Sequence, residues 1–264
     1  MKRNKKSKTI KKKTTQIEQP KINVVKCDTF PPELLGSNRN KRRELNITTL
    51  VPSAVFAARN FLDASEAAQW VQFSEEIGFE QINSLQTREF AHRQCGRIAK
   101  NDWEMADRLY QRMRPMVEKI ERHMVIVSGH DGTYAPVSCN GNLRLYKYEK
   151  NMSFGRHFDG STRINHGKYK GGNTEITVLV YLSSCRGGAT RFHLPSSKGR
   201  GGKKNKRKTD SNIVDDNDSG ITFVPEAGSI LMHMHGDRCL EHEADPVLDG
   251  IKYVLRTDIV YNNK

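Results

Sequence analysis

Two triplets in the chain set a histidine and an aspartate one residue apart: His157 and Asp159 in FGRHFDGS, and His235 and Asp237 in MHMHGDR. In an extended segment alternate side chains point the same way, so either pair presents two ligand-type groups on one face. A metal needs at least one more. Downstream, MHMHGDRCLEHE offers His233, His235 and His242 at the end of an apolar run. Two histidines and one carboxylate on one face, with coordination positions left open, are the ligand set of a non-haem iron(II) that must also take a cosubstrate and O2. The five cysteines (27, 95, 139, 185, 239) are scattered with no CxxC, so a four-Cys or Cys/His zinc site is not available.

Context separates the two triplets. His157-Phe158-Asp159 follows the aromatic run LRLYKYE and precedes Gly160, at the edge between a strand and a loop. Beyond the last histidine comes a cation: Lys252 stands ten residues after His242, and Lys252, Val254 and Arg256 share one face of a final strand. A buried cation facing the metal needs an anion. The far carboxylate of a dicarboxylic cosubstrate supplies one.

These residues must be positioned by elements that the sequence also suggests. DASEAAQWVQFSEEIGFE reads as a helix over about 64–77, capped by Asp63 with Glu66 three residues on and closed by Gly78. In 102–124, Met105, Leu109, Met113, Val117, Ile120 and Met124 recur at helical spacing, a stripe that reads as core packing. Asn101 or Asp102 can cap this helix, and Pro115 should break or kink it. From residue 140 the texture changes. LRLYKYE (143–149), TEITVLVYLSS (174–184), ATRFHL (189–194), GITFVPEAGSILMHM (220–234) and GIKYVLRTDIVY (250–261) are β-branched or aromatic runs separated by Gly, Pro and Asn or Asp. PEAGS, 225–229, marks a tight turn. Short strands at this spacing predict a sandwich or jelly roll rather than βαβ units.

The formal net charge is +14, but it is unevenly placed. Residues 1–13 carry eight Lys or Arg and 198–208 carry seven, with no acid in either run, so the remainder is near neutral. Such runs serve as nuclear-import signals, as weak nucleic-acid contacts, or as solvated tails. Residues 1–45 read as a basic, disordered tail whose one apolar cluster is FPPELL, and 195–219 as a disordered polar insertion between two strands. No apolar run reaches a membrane span and the N-terminus lacks an apolar signal core. With an odd number of cysteines, this points to a reducing compartment, cytoplasmic or nuclear.

The block from Asn142 to Tyr261 resembles the catalytic domain of the iron(II)- and 2-oxoglutarate-dependent dioxygenases, and most of all the prolyl 4-hydroxylase branch. LYKYEKNMSFGRHFDGS, TVLVYLSSCRGGATRF, FVPEAGSILMHM and CLEHEADPVLDGIKYVLRTD occur in that family's order over about 120 residues. The resemblance implies a mostly β, α+β fold: a double-stranded β-helix (jelly-roll) core over 140–264, buttressed by N-terminal helices within 46–130. It implies iron binding by His157, Asp159 and His242, and it anchors 2-oxoglutarate on Lys252, with Arg256 a second cation on the same face. Tyr148 falls where relatives place a tyrosine that meets the cosubstrate. The activity implied is hydroxylation of a peptidyl proline, another protein side chain or a small molecule, with O2 consumed and 2-oxoglutarate converted to succinate and CO2. Ascorbate is implied as the reductant of over-oxidised iron. Asn151 departs from the pattern, standing where relatives commonly have Gly. A nucleic-acid demethylase is disfavoured by the near-neutral core and by the Lys252/Arg256 spacing, and a jelly-roll binding module that lost its metal by the complete triad. Arg93 and Arg97 can line a substrate groove or end in surface salt bridges, and His166 and His193 have no partner at ligand spacing.

Overall fold

Asp63 begins the first helix. Its carboxylate accepts the amide of Glu66 (2.8 Å) while the Glu66 carboxylate accepts the amide of Asp63 (2.9 Å), so two orphan donors are met reciprocally. The computed structural model describes residues 28–36, 45–87, 91–128, 134–165, 167–195, 213–216 and 220–263. In chain order these form β1 (Ile47–Val51), β2 (Val55–Ala58), α1 (Ala64–Ile77), β3 (Glu80–Ser84), β4 (Arg93–Asn101), α2 (Trp103–Ser128), β5 (Tyr134–Cys139) and β6 (Asn142–Tyr148). There follow β7 (Phe154–His157), β8 (Asn173–Tyr181), β9 (Arg186–Gly187), β10 (Thr190–His193), β11 (Ile213–Asp216), β12 (Gly220–Phe223), β13 (Ile230–Met234), β14 (His242–Ala244), β15 (Val247–Asp249) and β16 (Lys252–Asn263).

The strands make a jelly roll with a large and a small antiparallel sheet, and β9 and β15 pair apart from both. The large sheet runs β1-β2-β13-β8-β16-β6-β4, with β3 paired to β4 and β5 to the far end of β16. The small sheet runs β7-β14-β10-β12-β11. The two join at one residue pair, Arg93 with Phe154. Period-two alternation divides the large sheet into two faces. Leu143, Leu145, Ile176, Val178, Val180, Ile230, Met232 and Leu255 face the helices and share their core. Val55, Ala57, Leu231, Tyr181 and Val254 face the small sheet, where Phe192 and Phe223 meet them. The double-stranded β-helix with flanking helices is therefore the observed architecture.

The methionine stripe of α2 is core: Met105, Leu109, Met113, Val117 and Ile120 are buried. Pro115 does not break the helix. It lies on the exposed side, as does Gln111, whose carbonyl loses its donor to the ring, so water can meet that group. Asp102 is the cap, its Oδ1 accepting the amide of Met105 (2.9 Å).

Three expectations need correction. The stretch 46–130 is not only helical support, because β1 to β4 lie in it and extend the large sheet. The expected tail over 1–45 contains a packed piece: Phe30 and Leu34 are buried, and the Phe30 amide donates to the second Asp102 oxygen (2.7 Å). The cluster FPPELL has enough apolar surface to dock against Trp70 (ring centroids 5.3 Å from Phe30). The polar insertion 195–219 ends in β11, paired along its length with β12. The basic runs 1–13 and 198–208 lie outside the described residues.

Candidate active site

β7 and β14 pair so that His157 and His242 are direct cross-strand partners. Their rings come within 4.2 Å, centroid to centroid. Asp159 follows two residues after His157 and turns back between them: one oxygen is 3.7 Å from His157 Nε2 and the other 3.7 Å from His242 Nε2. Each histidine is oriented by its own backbone. His157 Nδ1 bonds to the Gly155 carbonyl (2.8 Å) and His242 Nδ1 to the Leu240 carbonyl (2.9 Å). A carbonyl only accepts, so the proton sits on Nδ1 and the Nε2 lone pairs face Asp159. Burial pushes His157 down to about 3, with His242 adding to the shift, and burial lowers His242 as well, so both rings are neutral at physiological pH.

Burial by itself would raise the Asp159 carboxyl, but Arg256, His233, His242 and the Thr177 hydroxyl outweigh it and hold it well below the usual carboxylate range. Arg256 Nη2 is 2.8 Å from Asp159 Oδ2, and the Thr177 hydroxyl donates to the same oxygen (2.7 Å). Oδ1 is thereby left for a metal. Two neutral imidazoles and a permanently ionised carboxylate, with donor atoms all within 4.8 Å of one another, fit a divalent transition metal.

The rivals for the third ligand have other roles. His235 is tied at both nitrogens, to the Thr174 carbonyl (3.0 Å) and the Thr177 hydroxyl (2.7 Å), so it braces the residue that orients Asp159. His233 stands edge-on to His242 (4.4 Å between centroids), with Nε2 3.6 Å from Asp159 Oδ2, and neither nitrogen has a hydrogen-bond partner. His233, Cys239 and His242 also lie close enough to share a metal. That set is the weaker one: the Cys239 sulfur accepts the Asp159 amide (3.2 Å), and burial pushes its thiol up, away from the thiolate a metal needs. The second triplet fails as a ligand pair because Asp237 sits in a short 3-10 turn that His235 caps just past the end of β13, so the two do not share a strand face.

Lys252 opens β16, opposite Tyr148 of β6. It is buried, its Nζ donates to the Gly188 carbonyl (2.7 Å), and it rests between the rings of Tyr148 and Tyr181 (5.3 and 5.6 Å). Among the described residues no carboxylate pairs with it, and burial pushes it down to about 8. Lys252, Tyr148, Thr190, Arg256 and the three candidate ligands line one cavity. Burial and the nearby Cys95 raise the Tyr148 phenol, so it enters the pocket as a neutral donor. Of the two cations, Lys252 is unclaimed, whereas Arg256 is bound to Asp159.

Asn151 takes φ +69°, a left-handed conformation that Asn tolerates best after Gly, so the departure from Gly costs the turn little. Arg93 lines the cavity and Arg97 shares its face of β4; neither forms a salt bridge among the described residues. His193 bonds to Glu243 (2.8 Å), away from the site, and His166 lies outside the described residues. Thr177, Thr190 and Tyr181 are site residues that carry no sequence signal of their own. Their places follow from strand register alone.

By sequence, no family model and no curated protein matches the chain. By structure it is similar to a viral collagen prolyl hydroxylase from Paramecium bursaria Chlorella virus-1 (15% identity, TM-score 0.46, 78% of this chain and 96% of that chain). It is similar to a prolyl hydroxylase from Trichoplax adhaerens (15%, TM-score 0.47, 78% and 83%) and to the epimerase SnoN (14%, TM-score 0.44, 80% and 80%). The strand order is that of a jelly roll, and two histidines and one carboxylate converge on its inner face.

Proposed function

We propose that this protein is an iron(II)- and 2-oxoglutarate-dependent dioxygenase. One observation carries the reading: two imidazole Nε2 atoms and an ionised carboxylate converge beside a buried lysine with no carboxylate partner among the described residues. His157, Asp159 and His242 would hold the iron, and Lys252 would take the far carboxylate of 2-oxoglutarate, with the Tyr148 hydroxyl beside it. Iron with its cosubstrate supplies oxidative decarboxylation of 2-oxoglutarate to succinate and CO2, coupled to hydroxylation of a substrate carbon. The chain's own contribution is orientation and a dry pocket. Thr177 and Arg256 fix one carboxylate oxygen so that the other faces the metal. Leu179, Val254 and Phe154 give the cavity apolar walls that exclude water.

The order of motifs favours the prolyl 4-hydroxylase branch, with a peptidyl proline or another protein side chain as substrate and ascorbate as auxiliary reductant. The four described cysteines are unpaired, which suits a reducing compartment such as cytosol or nucleus. Among the described residues no helix is long and apolar enough to cross a membrane.

The test is direct. Under anaerobic conditions the protein should bind Fe(II) and then 2-oxoglutarate by calorimetry, and on admission of O2 it should form succinate. Asp159→Ala should lose both metal binding and turnover. Absence of Fe(II) binding in the parent protein, or succinate formation equal to that of Asp159→Ala, would refute the reading.

A further inference from the structure

The inner face of the large sheet holds more positive charge than the metal and cosubstrate require. Arg93 and Arg97 lie on β4, Arg144 on β6, and Lys252 and Arg256 on β16. Cross-strand register sets Arg97 opposite Tyr146, and Arg144 opposite Arg256, on the same face. Two acids answer two of these cations: Asp258 pairs with Arg144 and Asp159 with Arg256. Lys252 is the cosubstrate's partner in the proposed function. Arg93 and Arg97 are left over, with no ion pair among the described residues and with buried Nε atoms that make no hydrogen bond. Glu243 borders the cavity, but its carboxylate turns to His193 (2.8 Å) and Arg156 (3.5 Å). Binding of a divalent metal and of 2-oxoglutarate adds two positive and two negative charges, so loading the site leaves this surplus in place.

A partly buried guanidinium without a counter-charge is costly, so a ligand that pairs with it gains much. The geometry at Arg93 suits such a ligand. Its guanidinium lies over the Phe154 ring (3.7 Å to the centroid) and near that of Tyr146 (5.4 Å). Stacking occupies the flat face of the group and leaves its in-plane N–H donors to meet a planar or tetrahedral oxyanion edge-on. Arg93, Phe154 and Tyr146 wall the same cavity as His157 and Asp159, so an anion there would stand beside the metal position without displacing the cosubstrate from Lys252.

We propose that Arg93 is the recognition site for an oxyanion carried by the substrate, a carboxylate or phosphate group that holds the reacting carbon toward the triad, with Arg97 flanking it on the same face of β4. This rests on the oxygenase reading. The full chain is loaded anaerobically with Mn(II) and 2-oxoglutarate, and inorganic phosphate or acetate is titrated in separate arms. Paramagnetic broadening of the anion's NMR signal reports binding near the metal. Saturable broadening by at least one anion is expected, and the favoured arm identifies the group. Arg93→Gln should weaken that binding about tenfold or more, Arg97→Gln should weaken it less, and Arg93→Lys, which keeps the charge but loses the fork, should fall between the parent and Arg93→Gln. No saturable broadening in the parent protein, or parent-like affinity in Arg93→Gln, would overturn the proposal. Electron paramagnetic resonance of Mn(II) in the same samples separates the two readings. If the metal is not retained, the oxygenase reading fails, and equilibrium dialysis of phosphate against the unloaded parent and variants then decides the arginine site alone.

Discussion

At the scale of single residues, the site depends on groups that have no counter-charge or no hydrogen-bond partner among the described residues. Lys252 is the clearest case. It is protonated below about 8 and neutral above, and 2-oxoglutarate needs the charged form. Affinity for 2-oxoglutarate should therefore be flat below that value and decline above it, by up to about tenfold per pH unit, as read by calorimetry from pH 6.5 to 9.5. Lys252→Met should lose that pH dependence together with most of the affinity. His233 gives a second prediction. Both its nitrogens are buried without partners, which costs a fold about 1–3 kcal/mol. His233→Leu should make the metal-free protein more stable, by about 1 kcal/mol in urea denaturation. Much of this scale was legible in the sequence. His157 and Asp159 are neighbours, and Lys252 and Arg256 share a strand face, so spacing alone groups them. The choice of His242 over His233 and His235 was not readable from spacing. It depends on β14 pairing with β7, which places His242 across from His157. That Arg256 belongs to Asp159 rather than to the cosubstrate was likewise hidden, because the two residues are far apart in sequence and meet only across the sheets.

At the scale of elements, the parts easiest to anticipate are those with local causes. The capping box at Asp63 and Glu66 fixes the start of α1, and the buried stripe fixes the inward face of α2. Short strands are different. β7, β9, β14 and β15 have two to four residues each, too few to show alternation, and exist because longer neighbours bring them together. The turn after β9 nonetheless matters to the site. Gly188, at φ +63°, aims its carbonyl at Lys252, and a Cβ there would lie 3.1 Å from both Cys185 Sγ and Val247 Cγ2 and 3.3 Å from Lys252 Cδ. Gly188→Ala should weaken 2-oxoglutarate binding by displacing the lysine while leaving Fe(II) affinity unchanged. Calorimetry with each ligand checks this, and a matching loss for both would place the effect in the fold at large.

At the scale of the whole molecule, the helical layer and the segment before β1 form one side of the core. Phe30 is 3% exposed and its amide is held by Asp102, the residue that also starts α2. Phe30→Ala should cost about 3–5 kcal/mol by chemical denaturation, a loss expected of a core aromatic and not of a tail. Composition alone made residues 1–45 look like a tail, because a four-residue turn with one buried leucine, and Phe30 just before it, is swamped by its charged surroundings. The jelly roll itself was readable from strand spacing, but the order of its strands was not. β16 lies in the middle of the large sheet, between β8 and β6, with β5 on its far end. It is also made after every other described strand. During synthesis the triad residues therefore emerge while β6 and β8 still have open edges, and the sheet closes only when β16 slides between them. Lys252 and Arg256 arrive with that closing strand, so a nascent chain has its candidate metal ligands before its candidate cosubstrate anchor. Until then, unpaired β edges face solvent or a chaperone, and a stall late in translation would leave this protein more prone to aggregation than one whose last strand lies at a sheet edge.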